Sequence, residues 1–176
     1  MKSEELKAIQ APLKNRYKAS PEAALVTLRA AGKLGQGVSC SVQTGRALVE
    51  AGLHPATGGT GGQACSGDML LEALAACAGV TLSAVATSLG LAVRGGTVKA
   101  EGDLDFRGTL GVSKDVPVGF QKIRVSFELD TDASEDDLAT LRRLTERYCV
   151  VYQTLARPAE MTLRLTAAPA RPAPGP

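Results

Sequence analysis

The chain has no Trp, only three Phe, three Tyr and a single His among 176 residues. Without aromatics, a core must be built from Ala, Val and Leu, and stacking platforms for bases are missing. A net charge of +2 with no Lys/Arg cluster removes the electrostatic footprint of a nucleic-acid binder. The four Cys include no Cys-x-x-Cys pair, and with His54 alone they lack metal-ligand spacing. The Gly-rich run Pro55-Ala-Thr-Gly-Gly-Thr-Gly-Gly62 is not followed by Lys and does not form a phosphate loop. The charged opening Met1-Lys-Ser-Glu-Glu-Leu-Lys7 lacks the apolar centre of a secretion signal. A cytoplasmic location is the expectation, and thiols rather than structural disulfides follow from it.

What is present is a chain long enough to bury one core, 44% apolar and 22% charged. Residues 1–24 read as a polar, partly helical arm broken by Pro12 and Pro21. Leu25–Ala31 and Val38–Gln43 read as strands of a hairpin, followed by a weaker element over 44–50. Ser66 is expected to cap a long helix that Gly90 ends. Residues 97–106 and 120–130 read as strands, the second alternating Ile123, Val125, Phe127 and Leu129 inward. Ser134-Glu-Asp-Asp137 opens an amphipathic helix that runs to Arg157-Pro158. Met161–Thr166 reads as a last strand, and 168–176 as a disordered Pro/Ala tail. Hairpins combined with long helices indicate an α+β fold.

Met69 to Leu91 is apolar enough to span a bilayer, for which roughly 20 residues suffice. Glu72, Thr81, Ser83, Thr87 and Ser88, the Ala-rich make-up and the missing basic flanks favour a helix buried in protein instead. Its small residues permit close approach of other backbones, and cover on every side points to a homodimer.

The chemistry rests on thiols. Cys65 lies beside the helix start, where the dipole favours an anion. Cys77 lies about ten residues into the helix, beyond the reach of the dipole, so its activation requires a tertiary partner, an Arg above all. Helical-wheel arithmetic puts Cys149 about 20° from Leu138, at the edge of the apolar stripe. Each of the four, Cys40 included, is equally intelligible as a small buried hydrophobe. His54 reads as a loop residue with an outside claim on the site.

Ser66-Gly-Asp68-Met-Leu-Leu-Glu-Ala-Leu-Ala-Ala-Cys77 resembles the central-helix motif of the OsmC/Ohr family of thiol-dependent peroxidases. Arg147-Tyr-Cys149-Val-Val-Tyr-Gln-Thr-Leu155 is similar to the second cysteine motif of that family, in which Pro usually follows the Cys. The resemblance covers residues 25–167. It implies antiparallel sheets wrapped around a long buried central helix in an intertwined homodimer. It implies a peroxidatic Cys77, a resolving Cys149, an organic hydroperoxide substrate and an external dithiol reductant of the lipoamide type. It implies no metal or prosthetic group, and no nucleic-acid or membrane partner. Where the organic-hydroperoxide branch has an activating Arg after the first strand, this chain has Lys33, with Arg29 and Arg46 as neighbours and Asp68 as the carboxylate. Lys lacks the planar bidentate fork of Arg. A redox-sensing or ligand-binding protein with little turnover is the alternative within the family, and a purely structural role for all four Cys the alternative outside it.

Overall fold

The computed structural model of the chain describes residues 3–34, 40–42 and 51–166. The expected element over 44–50, Arg46 and the tail 168–176 lie outside the described residues. The first helix, α1 (Ser3–Ala19), runs through Pro12 rather than stopping there. It is docked by its last turn: Tyr17 is 2% exposed, and its hydroxyl donates to the Ala56 carbonyl at 2.7 Å. Tyr17 joins Ala24, Phe106 and Leu110 in a small cluster that seats the arm. A 3-10 turn at Pro21–Ala24, with Pro21 at its start where no N–H is needed, leads into the sheet.

Strand β1 (Leu25–Leu34) pairs antiparallel with β2 (Cys40–Val42), as the hairpin reading expects. The short strands β3 (Ala51–Gly52) and β4 (Ala64–Cys65) form a parallel pair that closes the Gly-rich loop. Within that loop a Cβ at Gly59 would collide with the Leu53 carbonyl, so the glycine there serves close backbone packing.

Helix α2 (Ser66–Leu89) starts one residue earlier than the capping reading places it: Cys65 is the cap and Ser66 is the first helical residue. It ends at Gly90, whose φ of 69° is the left-handed conformation that glycine adopts freely. Leu71, Leu74, Ala75, Ala78, Leu82 and Ala86 form its buried stripe, at the 3–4 residue spacing of one helix face. The opposite stripe, including Leu70, Ala73, Val80 and Ala84, is exposed, so among the described residues the helix is covered on one face only. By length and composition α2 could cross a membrane; here it packs against β1, the strand Val93–Asp105 and the C-terminal helices.

Strand β5 (Val93–Asp105) and β6 (Phe120–Thr131) complete an antiparallel sheet of order β2-β1-β5-β6, with the single turn α3 (Phe106–Thr109) in the connection. Val98 and Ala100 of β5 are fully buried against Leu71, Leu74, Ala75 and Ala78 of α2. Lys99, Glu101 and Asp103 alternate onto the other face. There Arg124 pairs with Asp103 at 2.6 Å and Lys99 with Glu128 at 3.0 Å.

Helix α4 (Glu135–Tyr148) opens as expected: the Asp137 N–H donates to the Ser134 hydroxyl, which donates to the Asp137 carboxylate at 2.7 Å. It does not run on to Arg157. The backbone turns extended at Cys149 (ψ 109°) and restarts as α5 (Val150–Ala156). The expected last strand, Met161–Thr166, has no ladder. A strand needs a partner edge, and Met161, Leu163 and Leu165 stand 91%, 88% and 90% exposed.

Candidate active site

The break at Cys149 assembles the site. Cys149 is at once the last cap of α4 and the first cap of α5, and it is 1% exposed. A continuous helix would consume the Val150 and Val151 N–H groups on the Glu146 and Arg147 carbonyls. The break releases them, and both face the sulfur of Cys77. The Glu146 carbonyl is taken instead by the side-chain amide of Gln153, which donates to it at 2.7 Å.

Cys77, half-buried in the middle of α2, and Cys149 are free thiols in one core cluster, and their sulfurs face each other. Burial pushes the Cys77 thiol up. The Val151 amide, Cys149, the Thr81 hydroxyl and the Val150 amide together outweigh it, and Cys77 ends below the ordinary thiol value. Cys149 goes the other way. Burial raises it most; the Tyr152 amide opposes this, the neighbouring Cys77 raises it further, the Thr81 hydroxyl lowers it slightly, and Cys149 ends above the ordinary thiol value. The pair is therefore asymmetric: of the two, Cys77 is the thiol that ionises more readily.

The other predicted residues lie elsewhere. Asp68 is nine residues before Cys77 on α2, about 13 Å along the axis and roughly half a turn around it. It is half-buried; burial raises its carboxyl, and His54 partly offsets that. His54 stacks on Phe106 with ring centroids 5.0 Å apart, and its Nδ1 accepts the Ala56 N–H at 3.0 Å, so its ring serves the loop. Lys33 is exposed and in register with exposed Thr97, on the sheet face turned away from α2. Arg29 stands in backbone register with Glu101. Cys65 packs beside the same core cluster, and Cys40 is on β2. Among the described residues no cation acts on Cys77, and no cluster of three His, Cys, Asp or Glu could hold a metal. Among the described residues, backbone amides act on Cys77 where an Arg is the expectation.

Two contributors escaped the sequence reading. Thr81 follows Cys77 by four, the spacing that puts two side chains on one helix face, so its part was legible. The amides of α5 were not, because Tyr148 and Tyr152 continue the apolar period straight across the break. The one available signal is the Pro usual after the second cysteine of the resembling motif, a residue at home in the first position of a helix.

Beside Cys149 lies an apolar cavity of about 830 Å³ between the inward face of β6 and α4, floored by Leu74, Ala78 and Leu82 of α2. Ile123, Val125, Phe127 and Leu129 line one wall, and Leu138, Leu141 and Thr145 the other. The Thr145 hydroxyl is buried there without a hydrogen-bond partner.

No curated protein matches the chain. A crystal structure described as an OsmC-like hydroperoxide resistance protein from Jannaschia sp. CCS1 superposes with a TM-score of 0.61 at 15% identity, covering 84% of this chain and 97% of that one. This likeness concerns the fold. The family model described as OsmC-like protein matches residues 59–164, from the Gly-rich loop through α2 and the Cys149 junction to the exposed C-terminal segment. That match spans more than half of the sequence, and the chain belongs to the OsmC-like family.

Proposed function

We propose that the protein is a thiol-dependent peroxidase that reduces organic hydroperoxides. The observation that carries this reading is the asymmetric pair, a Cys77 sulfur held low by amide donors against a neighbouring Cys149 held high. The Cys77 thiolate attacks the distal oxygen of R–O–OH. The O–O bond breaks, the alkoxide leaves and takes a proton as the alcohol, and Cys77 becomes a sulfenic acid. The Cys149 sulfur then displaces hydroxide, which leaves as water, and a Cys77–Cys149 disulfide forms. An external dithiol reduces it by exchange and is itself oxidised. The apolar cavity beside Cys149 favours an alkyl or lipid hydroperoxide over hydrogen peroxide. No metal or prosthetic group enters these steps, and the free thiols suit a reducing cytoplasm.

The same reading takes the working unit as an intertwined homodimer. The exposed stripe of α2 and the unpaired Met161, Leu163 and Leu165 support it, since a second chain would cover both. A monomeric mass by sedimentation at micromolar concentration would overturn this part.

The test of the reaction is one equivalent of cumene hydroperoxide followed by peptide mapping, with a Cys77–Cys149 disulfide expected. Two free thiols after treatment would sink the proposal. The Lys33 that stands where the organic-hydroperoxide branch has Arg favours one second reading, a redox sensor that oxidises once. Sustained peroxide consumption with dihydrolipoamide separates the two: the peroxidase continues and the sensor stops.

A further inference from the structure

The helix break needs something to hold it open, because restoring the helix would return the Val150 N–H to the Glu146 carbonyl. That carbonyl is already occupied. The Gln153 side chain reaches back over one turn of α5 and donates to it at 2.7 Å, while the Gln153 backbone N–H bonds the Cys149 carbonyl at 2.9 Å. Gln153 therefore does in the broken helix what the Val150 N–H would do in a continuous one. The released N–H faces Cys77.

We infer that Gln153 is a positioning residue for Cys77: by capping the Glu146 carbonyl it keeps the Val150 N–H directed at the Cys77 sulfur. This inference rests on the reading of Cys77 as the reacting thiol. It makes a claim about thiol ionisation that stands apart from peroxide chemistry. Gln153 does not touch the sulfur itself; it acts through the backbone of Val150. The choice of residue fits the task, since a Gln amide offers donors at the end of a flexible stem and carries no charge that would act on the sulfur directly. Among the described side chains, Cys149 is the titratable group that acts on Cys77, and it does not change in this test.

The experiment is a double-mutant cycle read by the pH dependence of iodoacetamide alkylation at Cys77, resolved by peptide mapping in the reduced full chain. Gln153→Met keeps the shape and removes the donors. It is expected to move the ionisation midpoint up by about half a unit and to slow alkylation at pH 7 about threefold, since the Val150 amide is the smallest of the donors acting on the sulfur. Val150→Pro removes the N–H itself. Val150 is 71% exposed and is the first residue of α5, and Cys149 before it is already extended, so proline fits there. In the Val150→Pro background, Gln153→Met is expected to lower thermal stability and to leave the Cys77 midpoint where Val150→Pro alone puts it. Gln153→Asn, a shorter donor, is expected to recover part of the alkylation rate. An unchanged midpoint in Gln153→Met would overturn the inference, and so would an equal shift with and without the Val150 N–H. Neither result depends on peroxide turnover, so a failed peroxidase assay and a failed positioning role remain distinguishable.

Discussion

The Thr81 hydroxyl lies one helical turn beyond Cys77 and faces the sulfurs of both Cys77 and Cys149. It lowers both thiols, but it is joined by two amides at Cys77 and by one at Cys149. Replacing Thr81 with Val keeps the β-branched shape and removes the donor. The Cys77 midpoint should rise, and alkylation at pH 7 should slow by roughly three- to tenfold, as one hydrogen bond to a charged group is lost. Kinetics across pH 6–10 check this, and an unchanged profile would remove Thr81 from the site.

The two thiols should also leave opposite marks on stability. A group whose folded value is depressed contributes stability that is fully present above the unfolded value, about 8.5 for Cys, and is lost as pH falls through the folded one. Cys77 is of this kind. Cys149, raised on folding, costs stability as pH climbs past that same unfolded value. Cys149→Ala should therefore flatten the alkaline fall of the urea midpoint, and Cys77→Ala should steepen it. Equilibrium unfolding at pH 7, 8.5 and 9.5 makes the comparison.

Asp105 is 5% exposed and bound by the Arg107 guanidinium, whose hydrogen bonds hold its carboxyl below the usual range. Its stabilising contribution is present above about pH 4 and is lost as pH falls through the lowered folded value. Arg107→Gln should lower stability at pH 7 and move acid unfolding to higher pH. Circular dichroism during acid titration would show it.

Leu71 is fully buried at the contact of α2 with Val98 and Ala100. Leu71→Ala should cost about 2–5 kcal/mol through lost burial and the cavity left behind. Tyr17→Phe removes only the hydroxyl that reaches the Ala56 carbonyl and should cost about 1 kcal/mol. Denaturant melts that rank the two variants in the other order would mean that the arm, rather than the α2–β5 contact, governs stability.

The sequence was most informative where a period was clean. The alternation Ile123, Val125, Phe127, Leu129 marked the inner face of β6, and the Leu-rich stripe marked α4. It was least informative where a single backbone torsion decided the outcome. Nothing in the Tyr148–Tyr152 spacing registers that ψ at Cys149 turns extended, so the amides that act on Cys77 were invisible while the thiol itself was not. The Met161–Thr166 segment failed for a different reason. Its pattern is that of a strand, but pattern cannot supply the neighbouring edge that a strand needs. Lys33 is hard to place for a third reason: the alternation of a strand does not say which face meets α2, and Lys33 stands on the other one.

The scarcity of aromatics has an optical consequence. With no Trp, ultraviolet emission comes from three tyrosines, and two of them, Tyr148 and Tyr152, bracket Cys149. The third, Tyr17, is shut into the arm cluster away from the thiols and supplies a constant background. A change in the covalent state of Cys149 alters the quencher beside two of the three emitters. The unlabelled protein thus contains its own spectroscopic gauge of that sulfur, readable in real time as an oxidant is added.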